Sequence, residues 1–204
     1  MSLRGGDRYY RLAKGLGAPS RAYFKLAHLN KKHSFLARGS RVVDLGSSPG
    51  GWVSYELSVV GETGRVVAVD VDELKITPSP NLVFIQKDIF EVEPNNLITA
   101  LGGMANVFVS DLAPRFTGIR SVDMARHYEL ISRALELSTQ TLRENGWFIV
   151  KLFMSAEIHE FIRDLRTRFA SVKIEKPQSS RSSSSEVYAV CRQIKGNIAP
   201  PSHI

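Results

Sequence analysis

Four apolar runs within the first 111 residues each end in an aspartate: V-V-D at Asp44, R-V-V-A-V-D at Asp70, L-V-F-I-Q-K-D at Asp88 and N-V-F-V-S-D at Asp111. Runs so continuously apolar, and so rich in valine, suit strands buried on both faces, and stretches of helical periodicity separate them. Strands alternating with helices imply a parallel sheet with helices packed on both sides. Such sheets bind ligands beyond the carboxyl ends of their strands, which is where all four acids fall.

The remaining elements follow from period and punctuation. From Ser20, S-R-A-Y-F-K-L-A-H-L-N-K-K-H supplies an N-cap and apolar positions at 23, 24, 26, 27 and 29, which predicts an amphipathic helix. Strands are expected over 41–45, 65–70, 82–87 and 104–111, with helices over 51–60 and about 94–101. A long helix over 121–142 carries Leu130, Ile131, Ala134, Leu137 and Leu142, and E-N-G stops it before the strand W-F-I-V-K-L-F. A helix over 155–169, a strand over 171–175, a polar loop and a strand over 186–193 complete the chain. The last two strands have no helix between them, so one antiparallel strand is expected at or near an edge. The expected fold is α/β, a seven-stranded mostly parallel sheet with one antiparallel strand.

The turn after the first strand, L-G-S-S-P-G-G-W, points to a small molecule. Gly46 permits a sharp turn, Gly50 and Gly51 let a ligand approach the main chain, and Trp52 opens the helix. The spacing is not the G-x-G-x-x-G of a dinucleotide site, Pro49 offers no N–H, and no P-loop lysine follows, so a phosphate cradle is disfavoured. Asp70, at the next strand end, suits a ribose diol. A nucleoside without phosphates and with a cationic centre fits best, S-adenosylmethionine being the common one; the alternative is a glycine-rich turn with no ligand.

Charge adds a partner. The chain of 204 residues carries +7 overall, yet residues 1–41 hold ten Lys/Arg against one acid, Asp7, so the whole excess lies at the N-terminus. Such one-sided charge suits contact with a polyanion better than a salt-bridged helix face, which is the alternative for any charge run. With 43% hydrophobic and 23% charged residues the composition is that of a globular protein, one domain being expected at this length. No apolar run approaches the roughly 20 residues of a membrane span, and the start, M-S-L-R-G-G-D-R, has no apolar export segment. A soluble, cytoplasmic, monomeric protein is expected. The single Cys191 reads as structural, and five scattered histidines without metal-ligand spacing predict no metal site.

Lys151 is out of place. It interrupts W-F-I-V-K-L-F, a strand otherwise fit for the sheet centre, where an unpaired ammonium is costly. Either it snorkels to the sheet edge or it has partners, for which Asp111, Glu186 and the helix residue Lys25 are the candidates.

These residues carry a resemblance to the FtsJ/RrmJ family of RNA 2′-O-ribose methyltransferases, running from about Asp7 to Cys191. The matching motifs are S-R-A-Y-F-K-L, V-V-D-L-G-S-S-P-G-G-W, V-V-A-V-D, Q-K-D-I-F, V-S-D-L-A-P, F-I-V-K-L-F and K-P-Q-S-S-R-S-S-S-S-E-V-Y, in order and at appropriate spacing. The resemblance implies a Rossmann-like methyltransferase fold over residues 20–195, between a basic extension (1–19) and a tail (196–204). It implies S-adenosylmethionine as donor, bound by Gly46, Gly50, Trp52, Asp70, Asp88 and Asp111. It also makes Lys25, Asp111, Lys151 and Glu186 a catalytic tetrad. Two departures stand out: S-S where A-A is common before P-G-G-W, and R-F-T-G in place of N-M-S-G after the D-x-A-P motif, in a loop that could meet RNA.

The implied chemistry is attack of a ribose 2′-oxygen on the sulfonium methyl. A hydroxyl is a weak nucleophile, so Lys151 is the candidate base and must be neutral to serve; kept charged, it would only orient the hydroxyl. Asp111 would orient Lys151, and Glu186 would hold Lys25 or the ribose. Large-subunit ribosomal RNA is the favoured substrate. The alternatives are the tRNA anticodon loop and a non-catalytic RNA-binding assembly factor on the same fold.

Overall fold

In the computed structural model, which describes Ser20, residues 22–177 and residues 185–195, the innermost strand sets the plan. Strand β1 (Arg41–Leu45) is buried from Val42 to Leu45, aspartate included, because strands flank it on both sides and helices cover both its faces. Strands β2 (Arg65–Asp70) and β4 (Ala105–Ser110) pair with it in parallel. β3 (Leu82–Gln86) extends the sheet beyond β2, and β5 (Leu142–Phe153) extends it beyond β4, both again in parallel. β7 (Glu186–Ile194) runs antiparallel to β5, and β6 (Phe169–Glu175) closes the edge against β7. The order is β3-β2-β1-β4-β5-β7-β6, so the single reversed strand lies one position in from the edge, as the missing helix requires.

Alternation along the strands divides the core. Val42, Val66, Val107, Ile149 and Val190 face helices α1 (Ala22–His33) and α2 (Gly51–Val60), which contribute Leu26, Leu29, Trp52 and Val53. Val43, Val67, Phe108, Phe148 and Val150 face α3 (Pro94–Leu101), α4 (Arg120–Thr141) and α5 (Ala156–Arg168), which contribute Leu97, Ile131, Phe161 and Leu165. Burial of each such side chain contributes about 1.5–3 kcal/mol. Among the described residues no helix is long and apolar enough to cross a membrane.

Three boundaries differ from expectation. β5 starts at Leu142, directly after α4, and the register with β4 moves from Ala105–Leu142 to Val107–Trp147, so R-E-N-G bulges within the strand instead of separating helix from strand. β6 starts at Phe169, whose apolar ring seals the end of α5. A 3-10 turn over Ile89–Glu91, capped by Asp88, precedes α3. The basic lead-in 1–19, most of the serine-rich segment 179–185 and the tail 196–204 lie outside the described residues.

Phe148 meets Phe108 edge-on and stacks on Phe169, each at 5.9 Å, which joins β4, β5 and β6 through one column of rings. Phe148→Ala is expected to lower the unfolding free energy by about 3–5 kcal/mol, read from urea denaturation. A loss under about 1 kcal/mol would mean that the column closes over the gap.

Candidate active site

The topology brings β4, β5 and β7 to one rim. Lys151 stands opposite Tyr188 in the β5–β7 ladder, and Phe153 stands opposite Glu186, so period-2 alternation puts these four side chains on one face. Asp111, one residue beyond β4, meets them from the neighbouring strand. The Lys151 ammonium donates to the backbone carbonyl of Asp111 at 2.5 Å and lies 3.3 Å from its Oδ1. Tyr188 donates its hydroxyl to the same Oδ1 at 2.8 Å. From α1, Lys25 reaches both oxygens of Glu186, at 2.7 and 2.9 Å. The structure thus gathers Lys25, Asp111, Lys151 and Glu186, as two ion pairs joined by a residue the sequence reading passed over.

That residue, Tyr188, is fully buried. Burial above all, then the charges of Asp111 and Glu186 and hydrogen bonds to both, hold its hydroxyl well above the usual phenol range, so it remains a donor. The signal was present in E-V-Y: two residues from Glu186 in a strand means the same face. Only the β5 register says what that face meets.

On the other side of Asp111 lies the glycine turn. Gly46 has φ +76°, and a Cβ there would come within 2.9 Å of the Leu112 amide, so only glycine lets the turn press against the segment after Asp111. Gly50 is also left-handed and caps α2. At Gly51 a side chain would collide with Ser20 and Ala22, so this glycine makes the seat of α1. Asp70 organises the turn, accepting from the Ser48 amide at 2.8 Å and the Asp72 amide at 2.9 Å. Asp88, exposed at the end of β3, accepts from the Phe90 amide at 3.1 Å. Trp52 is buried with its ring 5.6 Å from that of Tyr188, which couples the turn to the lysine site.

Several buried polar groups around the turn have no hydrogen-bond partner among the described residues: both oxygens of Asp44, the hydroxyls of Ser47 and Ser110, and the Trp52 Nε1. Proteins rarely leave such groups unsatisfied unless something else meets them. Burial first, then the charges of Asp111 and Asp70, push the Asp44 carboxyl well above the usual range, and burial with Asp44 does the same to Glu56. Unsatisfied donors and acceptors behind a turn held open by Gly46 suit a polar ligand.

His127 on α4 completes the surroundings of Lys151. It is fully buried, its ring lies 4.8 Å from that of Phe153, and its Nε2 accepts from the Phe153 amide at 3.3 Å. The proton of the neutral ring therefore sits on Nδ1. Burial, and secondarily the charge of Lys151, lower its pKa from 6.5 to about 4. Nothing in the helical periodicity distinguishes this histidine from a core residue.

The sheet order and a glycine turn flanked by strand-end acids define an α/β enzyme for a nucleoside-containing ligand. Comparison with known proteins narrows this. A family model for FtsJ-like methyltransferases matches residues 18–194. The ribosomal RNA large subunit methyltransferase E of Methanothermobacter thermautotrophicus is 41% identical over 93% of this chain and 90% of its own length. The protein of that name from Oleidesulfovibrio alaskensis is 36% identical over 93% and 92%. A solved Plasmodium falciparum structure, provisionally assigned as a ribosomal RNA methyltransferase, superposes with a TM-score of 0.74 at 26% identity over 87% of this chain and 99% of that one. The chain belongs to the FtsJ-like methyltransferase family, whose methyl donor is S-adenosylmethionine.

The buried histidine gives the fold a measurable acid dependence. Because the imidazole is harder to protonate folded than unfolded, the unfolded chain takes up the proton first, and stability falls as pH drops from about 6.5 toward about 4. His127→Gln, whose amide oxygen can still accept from Phe153, is expected to lose about 2 kcal/mol less than the wild type between pH 7 and pH 5. Urea unfolding at the two pH values checks this; parallel losses would mean that His127 titrates normally.

Proposed function

We propose that the protein methylates a ribose 2′-hydroxyl of large-subunit ribosomal RNA, as a cytoplasmic monomer whose catalytic unit is residues 20–195. The observation that carries the reading is the buried Lys151, held at the sheet rim by Asp111 beside a second pair, Lys25–Glu186. A pure binding surface has no use for a lysine taken out of water at this cost. The names of the relatives supply the RNA, and the basic segment 1–41 supplies charge for its phosphates.

S-adenosylmethionine, when bound, supplies an electrophilic methyl group. Gly46, Gly50, Trp52, Asp70, Asp88 and Asp111 are the residues proposed to hold it, Asp70 toward the ribose and Asp88 toward the adenine. The chain's own work is at the acceptor. The 2′-oxygen forms its bond to the methyl carbon as the carbon–sulfur bond breaks, and the hydroxyl proton must leave. Lys151 is the group that takes it. To act as base it must present a free electron pair to the hydroxyl. Asp111 aims the amine, Tyr188 aims Asp111, and the Lys25–Glu186 pair meets the ribose of the RNA.

Ribose-methylation mapping of ribosomal RNA and tRNA, with and without the gene, tests the substrate. One missing 2′-O-methyl in large-subunit RNA is expected; a loss confined to tRNA would overturn that choice. For the mechanism, Lys151→Ala and Lys151→Arg are both expected to abolish single-turnover transfer with donor affinity intact, since a guanidinium stays protonated. Substantial transfer by the Arg variant would reduce Lys151 to an orienting cation. Tyr188→Phe, which removes one hydrogen bond from Asp111 without disturbing the ring, is expected to slow single-turnover transfer at saturating donor by about tenfold, or ~1.4 kcal/mol; an unchanged rate would remove Tyr188 from the mechanism.

A further inference from the structure

Among the described residues, a group of exposed apolar side chains lies on the loop after β4 and the start of α4, a segment that reaches the lysine site through Phe116. Phe116 and Ile119, in the loop after β4, are each 60% exposed, and Val122 and Tyr128 are exposed on the first turns of α4. Scattered single exposures are ordinary; a group next to the reacting centre is not.

Phe116 is held in place. Its ring meets that of Phe153 edge-on at 5.6 Å and 72°, and the Lys151 ammonium lies 5.6 Å from the centre of the Phe153 ring. The loop itself is tied to α4: the Asp123 carboxylate accepts from the Thr117 amide at 2.7 Å, the Thr117 hydroxyl at 2.8 Å and the Gly118 amide at 3.1 Å. Those bonds, the Thr117 amide first, lower the Asp123 pKa, so the tie holds at neutral pH. A fixed aromatic face left in water, one ring from the reactive amine, is a platform.

Charge selects the occupant. Arg115, Arg120 and Arg126, all exposed, are interspersed with the apolar side chains, and the nearest acid to Arg115 is Asp72 at 3.8 Å. Two copies meeting through this face would set three arginines against three. A polyanion with flat bases satisfies both components, cation for phosphate and ring for base.

We propose that Phe116 is the side chain on which a nucleobase stacks at the methylation site, fixing the attached ribose toward Lys151. This rests on the RNA reading given above. A stacked base contributes sequence-tolerant affinity and, more usefully here, a fixed distance between the base and the 2′-hydroxyl.

Large ribosomal subunits purified from cells lacking the gene serve as the probe, with labelled S-adenosylmethionine at saturation and subunit concentration varied. Phe116→Ala is expected to raise the KM for subunits about tenfold, and Phe116→Leu, of similar apolarity but without a π face, to behave like it. Phe116→Trp should restore wild-type kinetics. Donor affinity by calorimetry and the melting temperature should stay unchanged in all three. A Leu variant equal to wild type, or an Ala variant with unchanged KM, overturns the proposal while leaving the RNA reading intact. So does an Ala substitution that converts a dimer to a monomer in sedimentation, which would assign the face to a second copy. A wild type that binds the donor and transfers nothing to these subunits overturns the RNA reading, and the stacking proposal with it.

Discussion

A single ammonium group, taken out of water at the end of a buried strand, dictates much of what surrounds it. Desolvating Lys151 costs several kcal/mol, and that cost is met only by good geometry with an anion. The parallel register sets Ser110, the last residue of β4, beside Val150 of β5, so the residue just past β4, Asp111, arrives beside Lys151. The carboxylate then needs its own support, and the reversed strand β7 provides it through Tyr188. Were β7 parallel like the rest, Glu186 and Tyr188 would not stand opposite Phe153 and Lys151. The antiparallel insertion is therefore a requirement of the site.

Much of this was legible in the sequence, and for a reason that can be named. Valine-rich runs ending in Asp44, Asp70, Asp88 and Asp111 fix strand positions and polarity, and a lysine among W-F-I-V-K-L-F cannot be explained by packing. What the sequence could not display was pairing. Asp44 and Asp70 both end apolar runs beside the same turn, and nothing in the two runs tells which acid organises it. The structure gives that task to Asp70 and leaves Asp44 buried without a partner among the described residues. Nor could the sequence show that Gly51 also leaves room for α1. His127 and Tyr188 fit their local periodicities as ordinary core residues, and their contacts cross from α4 to β5 and from β7 to β4. The early start of β5 has the same origin: E-N-G is a turn by local chemistry, and the ladder to β4 overrides it.

The carboxyl groups divide by their partners among the described residues. Burial first, then the charges of Asp111 and Asp70, raise the Asp44 carboxyl behind the turn, and burial first, then Asp44, raises that of Glu56. Asp123 is held toward its charged form by the amides it ties, and Glu175 by Lys32 and His33 despite the opposing effect of burial. The ionised acids sit where the fold needs a tether.

Glu175 shows why the tether matters for chemistry. It accepts from Lys32 at 2.6 Å and His33 at 2.9 Å, which fastens the C-terminal end of α1 to the edge strand β6. Leu26 and Leu29 sink the middle of the helix into the core, and the space above Gly51 receives its N-terminal turn. A helix fixed at both ends and along one face has no freedom left to place Lys25 elsewhere than against Glu186. The second ion pair is thus set by the packing of α1 rather than by its own modest Coulomb energy, which in a partly exposed pair would not suffice. Specificity of position, supplied by apolar contacts and edge tethers far from the rim, is what turns four charged residues into one site.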